Sequence, residues 1–545
     1  MTTRLPAACL TILTMLCCLP CLAGENTMQN VPRWTVFEAE LQSQTEYANP
    51  LWDATVRVSF TSPSGNVRTI DAFWDGGKTW RVRFAPDELG AWRWKSSCTS
   101  TDNKGLHGQT GGFACVAYRG TNPLFRHGPA KLSDDRRHFV NADGTPFFWL
   151  ADTAWNGVLR STPADWSRYL KARAKQGFTA VQFVSTQWRG GNKCLTIGKA
   201  FTNPKRPRIH PEFFQKLDAK VAAINAHGLV AAPVLLWTLT KSDPGQVLTA
   251  EGCIRVARYI VARWSAHHVV WLLGGDGHYG GRRAAKWCKV GRGVFGDRHD
   301  RLVTIHPCGQ SWVAKEFRDE PWLDFVGYQS GHGTSVGNLR WLVQGPPARG
   351  WQGEPPRPVV NMEPNYEAIP SYQTRRKITD REVRRAAYWS LLVSPTAGLT
   401  YGHNSIWIWA SKPEVPEGHA RIGTVAPWHA GLDTPGIRSI TVMKRFFDSI
   451  PWWRLQPAPD LLATQPGAKD PRRFVAAAWA ADGSLAILYL PKGGTVALRL
   501  ERLDPKAKAS WIDPRTGKHL AAKPSGNPPT RFAAPDTRDW LLLLR

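Results

Sequence analysis

Two acids in this chain stand where the backbone is built to expose a side chain. Asp276 follows the apolar run His268-Val269-Val270-Trp271-Leu272-Leu273 and the pair Gly274-Gly275, and Glu363 follows Pro358-Val359-Val360-Asn361-Met362. Each run reads as a short buried strand that stops abruptly, at glycines in the first case and ahead of Pro364 in the second. The acid then sits at the C-terminal mouth of its strand. Two carboxylates placed this way can divide the cleavage of a glycosidic bond, one as general acid and the other as nucleophile or base. Taken singly, Asp276 reads equally well as a turn residue and Glu363 as a helix cap. Their shared setting is what argues for chemistry.

That setting is a repeat of strand, loop and helix from about residue 123 to 451. Apolar runs occur at Pro146–Leu150, Phe178–Phe183, Leu229–Leu235, His268–Leu273, Arg301–Ile305, Leu323–Tyr328, Pro358–Met362 and Ala397–Tyr401. Stretches with apolar residues three and four apart separate most of them, among them Asp165–Gln176, His210–His227 and Ala250–Ser265. Eight such units predict a (β/α)₈ barrel, whose active site lies at the C-terminal ends of the strands. The residues at those ends then form one set: Asp152, Thr153 and Trp155; Gln187 and Trp188; Trp237; Asp276 and His278; His306; Gln329 and His332; Glu363; His403, Asn404 and Trp407. Acids, amides, imidazoles and indoles around one mouth suit a sugar, with Trp155 and Trp237 expected as stacking walls. Any one of these histidines alone is as well explained as a satisfied loop residue.

Gly275-Asp276-Gly277-His278-Tyr279-Gly280 also matches G-x-G-x-x-G, the dinucleotide fingerprint. That fingerprint belongs on the first strand of an open doubly wound sheet, and here the strand is fourth of eight. Beyond residue 23 there is no Cys-x-x-Cys pair and no His-Glu-x-x-His, so neither a metal nor a cofactor is expected.

Two all-β segments flank the barrel. Residues 31–118 alternate apolar and polar, as in Thr55-Val56-Arg57-Val58-Ser59-Phe60, and predict an accessory β-sandwich. Residues 455–545 carry further short strands between Asp-Gly, Gly-Gly and Thr-Gly turns, after the Pro457-Ala458-Pro459 linker, and predict a second β-sandwich domain that packs against the barrel. Residues 1–23, with Arg4 ahead of an apolar stretch and a small-residue exit, read as a secretory signal. The mature protein is therefore expected outside the cytoplasm, secreted or periplasmic, with no membrane span. Six cysteines remain beyond the signal, an even number that implies disulfides in an exported chain. The expected pairs are Cys98 with Cys115, across a glycine-rich loop, and by adjacency of strand-end loops Cys194 with Cys253 and Cys288 with Cys308. The net charge of +27 points to an acidic polymer as partner. No block of basic residues interleaved with aromatics marks a specific nucleic-acid site.

The succession β-sandwich, Phe148-Trp149-Leu150-Ala151-Asp152-Thr153-Ala154-Trp155, Trp271-Leu272-Leu273-Gly274-Gly275-Asp276, then Asn361-Met362-Glu363-Pro364-Asn365-Tyr366-Glu367 resembles the apiosidase-like glycoside hydrolases over most of the mature chain. The resemblance implies a bacterial enzyme acting on plant cell-wall polysaccharide, pectic side chains leading, with Asp276 and Glu363 carrying catalysis by a two-carboxylate, retaining route. It also implies a C-terminal module of the collagen-binding type, a label that rests on analogy and is not transferred as function. The wider clan of such barrels has an Asn-Glu pair after strand four, where this chain has Asp276. Two alternatives stay open: a carbohydrate-binding protein without activity, and a polyanion-binding structural protein.

Overall fold

The computed structural model describes residues 28–188, 198–296, 300–526 and 528–545. The expected signal at 1–23 and Cys194 lie outside the described residues. At the centre, eight parallel strands form one sheet: β1 (Trp149–Thr153), β2 (Ala180–Val184), β3 (Val230–Trp237), β4 (Trp271–Gly275), β5 (Val303–Thr304), β6 (Val326–Tyr328), β7 (Val359–Asn361) and β8 (Gly398–Tyr401). The hydrogen-bonded order is β5-β4-β3-β2-β1-β8-β7-β6, a cylinder whose ladder opens only between β5 and β6. Side chains sew that seam. The Thr304 hydroxyl donates to the Phe325 carbonyl at 2.7 Å and accepts from the Gly327 N–H at 3.1 Å, and the Val303 N–H donates to Asp324 at 2.8 Å. Every residue of the eight strands is buried, as continuous apolar runs with helices outside and a filled interior require.

Helices α1 (Pro163–Lys175), α2 (Pro211–Ala226), α3 (Ala250–Trp264), α4 (Arg282–Phe295), α5 (Val336–Gln344), α6 (Asp380–Leu392) and α7 (Pro435–Asp448) pack around the barrel. Their starts follow local chemistry: Thr162 and Thr249 accept the N–H groups of Asp165 and Gly252 at 3.1 Å, and Pro163, Pro211 and Pro435 occupy first-turn positions where no N–H is needed.

The first strand lies three residues later than its apolar run suggests. Pro146–Phe147 pairs instead with Phe139–Asn141 in a small antiparallel sheet, so Asp152 and Thr153 belong to β1 itself rather than to the loop beyond it. The glycines of the fingerprint-like stretch serve packing. A Cβ on Gly275 would stand 2.5 Å from the Trp237 ring, and one on Gly277 2.3 Å from a Thr238 methyl.

The N-terminal sandwich sets a five-stranded sheet against a three-stranded one. Val56, Val58 and Phe60 alternate inward as their spacing predicts, and Phe60 stacks on Phe84 at 4.1 Å. Charged pairs join it to the barrel, Arg83 to Asp218 and Arg263 to Asp75, each at 2.8 Å. The C-terminal part carries a six-stranded and a two-stranded sheet and is tied to α6 through Arg384 and Asp539 at 2.9 Å.

The expected disulfides are corrected: Cys98, Cys115, Cys253, Cys288 and Cys308 are in no disulfide. Cys98 faces Val56, whereas Cys115 faces Gly90, eight residues further along the same strand. At about 3.3 Å per residue that is roughly 25 Å, far beyond the ~7 Å Cα reach of a disulfide. Cys253 and Cys288 lie inside α3 and α4, not in strand-end loops. Burial pushes the Cys115 and Cys253 thiols up to about 11.

Candidate active site

Glu363 follows β7, and its two oxygens meet different surroundings. Oε1 faces His332 Nε2 at 3.1 Å, and the Tyr366 hydroxyl lies near the carboxylate. Oε2 is buried without a hydrogen-bond partner, 3.7 Å from His306 Nε2. Burial pushes this carboxyl up, but the His332 hydrogen bond, the nearby imidazoles and Tyr366 outweigh it and hold Glu363 below its ordinary value. A buried polar chain fixes the position. Tyr366 donates to Thr153 at 3.0 Å, Gln182 donates to the Met362 carbonyl at 3.2 Å, and the Thr400 hydroxyl bonds Gln182 at 3.1 Å.

Asp276 caps β4 with a backbone φ of +21°, a conformation a non-glycine residue rarely takes and one that concentrates at functional sites. Its Oδ1 accepts from Gln329 Nε2 at 3.1 Å and lies 3.7 Å from His306 Nδ1. Asp276, His306 and Glu363 each bring one atom within 4.8 Å of the others, the grouping among the described residues whose donor set a metal could use. His306 turns a different nitrogen to each acid, so its lone pairs do not converge with both carboxylates on one point. The arrangement is that of two acids bridged by an imidazole.

Aromatic rings continue outward from the acids. Trp155 meets His306 edge-on at 5.3 Å and Trp237 at 5.3 Å, Trp237 meets Trp188 at 4.9 Å, and Trp188 reaches Trp407 at 6.5 Å. Trp155 and Trp237, expected as stacking walls, lie inside this cluster of rings. They are 3% and 1% exposed and meet each other edge to face. The indole N–H groups of Trp237 and Trp407 and the Asn404 side-chain oxygen are buried without partners. Orphaned polar atoms gathered at one mouth mark a place where a polar ligand completes the bonding.

Other predicted site residues are engaged elsewhere. The Gln187 amide is spent on the Ala200 N–H at 2.9 Å and the Phe201 carbonyl at 3.2 Å. His403 accepts the Ser405 N–H at 3.1 Å as a helix cap, and burial with Arg173 and Lys377 drives it down to about 3. Asp152 is fully buried, bonded to Arg173 at 2.6 Å, Tyr169 at 2.8 Å and the Thr153 N–H at 2.9 Å. His278 is exposed, outside the hydrogen bonds of the site.

The sequence reading missed Tyr366, Gln182 and Tyr372. Gln182 had a signal, since it is the polar residue in the otherwise apolar run Ala180-Val181-Gln182-Phe183-Val184. Tyr372 had none. Its ring lies over Gly331 and 5.5 Å from His332, yet is 54% exposed. Burial, with the charges of Glu363 and Asp276 behind it, pushes its hydroxyl up.

Comparison with known proteins matches this architecture. Residues 133–454 match the family described as apiosidase-like, catalytic domain; residues 30–99 match a domain of unknown function; residues 457–545 match a family provisionally named as a collagen-binding domain of a collagenase. A solved glycoside hydrolase is 22% identical with a TM-score of 0.65, covering 78% of this chain and 98% of its own. A family 5 glycoside hydrolase from Bacteroides vulgatus is 20% identical with a TM-score of 0.64, covering 78% and 95%. A second protein of that bacterium, provisionally described as a glycoside hydrolase, is 17% identical with a TM-score of 0.67 and covers 95% and 99%. These likenesses carry the fold: an eight-stranded barrel with flanking β domains. No curated protein matches. The catalytic-domain match spans more than half of the sequence and contains both acids, and the chain belongs to the apiosidase-like glycoside hydrolases.

Proposed function

We propose that the protein is an exported, retaining glycosidase of plant cell-wall polysaccharide, with pectic side chains as its substrate class. The observation that carries the mechanism is that one carboxylate oxygen of Asp276 and one of Glu363 lie within 4.8 Å of each other. Retaining enzymes hold their two carboxyl groups about 5–5.5 Å apart, whereas inverting ones leave about 6.5–9.5 Å for a water. Glu363, held ionised by its donors, attacks the anomeric carbon while Asp276 gives its proton to the departing oxygen. In the second step Asp276 takes a proton from water, the water oxygen attacks the same carbon, and the Glu363 ester is released. A chain of +27 net charge suits an acidic polymer. For export, the support is the leader-like composition of residues 1–23. No helix among the described residues is long and apolar enough to cross a membrane.

The test is release of reducing sugar from a panel of plant polysaccharides, with the anomer of the first product read by NMR. Retention, together with loss of turnover in Glu363→Ala, is expected. A non-catalytic carbohydrate-binding protein would bind the polymer and release nothing, and inversion would remove the nucleophile role from Glu363.

A further inference from the structure

His306 follows β5 and is fully buried, its ring walled by Trp155 and Trp237. Nδ1 faces Asp276 and Nε2 faces Glu363, both at 3.7 Å. Neither nitrogen has a hydrogen-bond partner, although the carbonyls of His306 and Met362 lie nearby. A ring so placed does not need to touch substrate to matter.

A neutral imidazole carries one N–H and one bare nitrogen. Set between two carboxyl groups, it can donate to only one and accept from only the other. It therefore matches a pair that holds one proton between them, and mismatches both the doubly ionised and the doubly protonated pair. We propose that His306 is a positioning residue that favours Asp276 protonated and Glu363 ionised in the resting enzyme, turning its bare Nδ1 to the first and its Nε2 N–H to the second. The direction follows from the second groups at each acid: Glu363 Oε1 faces another imidazole, His332 Nε2, at 3.1 Å, whereas the donor at Asp276 Oδ1 is the neutral Gln329 amide, so the charge settles on Glu363. Burial keeps the ring itself below its ordinary value and so neutral. The titratable groups around it are Asp276 and Glu363 at its nitrogens, with His332, Tyr366 and Tyr372 beyond Glu363; Trp155 and Trp237 bring no charge. This rests on the two-acid reading above.

The experiment compares His306→Phe, which keeps a planar ring without nitrogens, with His306→Asn, which keeps one donor and one acceptor. Each is purified as the full chain, checked by melting temperature, and followed as kcat/KM against pH. In wild type the N–H favours ionised Glu363 and the bare nitrogen favours protonated Asp276. His306→Phe should therefore raise the acid limb and lower the alkaline limb, narrowing the bell, with turnover down by about 10²-fold and KM little changed. His306→Asn should restore much of the width. A fall in rate with both limbs unmoved in both variants, or wild-type profiles in both, would overturn the proposal. If Asp276→Ala and Glu363→Ala stay active, it is the two-acid reading that fails, whatever the His306 variants do.

Discussion

Asp152 in β1 and Glu363 after β7 are the same kind of group at the same kind of place, a buried acid where a barrel strand ends. What they touch separates them. Asp152 is fully enclosed, one oxygen held by Arg173 and Tyr169 and the other by the Thr153 N–H. Glu367, four residues beyond Glu363, is equally well occupied, by Tyr401 at 2.6 Å, Thr434 at 2.5 Å and the Gly436 N–H at 2.9 Å, the last at the positive end of α7. Glu363 keeps one oxygen that nothing in the protein bonds. Complete bonding marks an acid that holds the fold, and the vacancy marks one that meets something else. Composition and strand position alone cannot draw that distinction, because they are shared.

The largest effect that would break this comparison lies at Asp152. Burial pushes its carboxyl up despite Arg173, so the pair as a whole gives the fold little. Removing one partner is another matter. Asp152→Asn leaves the Arg173 guanidinium buried without its counter-charge and should cost about 3–5 kcal/mol of stability. Denaturant unfolding would show that loss, while kcat per folded molecule should hold near wild type. Replacing both residues, as in Asp152→Leu with Arg173→Met, should recover most of the loss. Wild-type stability with abolished turnover in Asp152→Asn would put this acid in the chemistry and end the division by bonding.

Glu367→Gln is a smaller and sharper test. The amide keeps an acceptor for one or two of the three donors but loses the charge that faces the end of α7. A loss of about 1.5–3 kcal/mol in stability is expected, the range for hydrogen bonds to charged groups. Glu363→Gln should do the opposite, leaving stability close to wild type while turnover falls. If the two variants behave alike, the unpartnered oxygen of Glu363 has no functional meaning.

Much of this was legible in the sequence, and the failures share a cause. The barrel strands announce themselves because a strand buried on both faces must be a continuous apolar run. Both acids announce themselves because glycine or proline ends those runs. The start of β1 was misplaced because Pro146 and Phe147 extend the apolar run while their backbone pairs with another sheet. Cys98 and Cys115 flank one loop in sequence, but the antiparallel register carries them to opposite ends of a strand. The partner of Asp152, Arg173, lies on α1, 21 residues on, and nothing in a linear pattern pairs them. Each error is a long-range partner that local reading has no means to see.

The smallest effect extends the comparison from acids to rings. Trp155 and Trp237 are to the aromatics what Asp152 is to the acids: their rings are enclosed by their neighbours. Tyr372 corresponds to Glu363, since it is half exposed and stands 5.5 Å from His332, the neighbour of Glu363. An open aromatic face beside two carboxylates is where the apolar face of a sugar ring can lie, and such a ring contributes about 0.5–1.5 kcal/mol beyond its buried area. Tyr372→Ala should therefore lower kcat/KM by roughly tenfold or less, mostly through KM, while Tyr372→Phe should keep nearly all of it because the face remains. The same contact should matter less for a short aryl glycoside than for an oligosaccharide that spans the mouth. Full activity in Tyr372→Ala on both substrates would return Tyr372 to the surface residues. A larger loss from Tyr372→Phe than from Tyr372→Ala would mean that the hydroxyl, set against the charges of Glu363 and Asp276, bonds the substrate and the face does not.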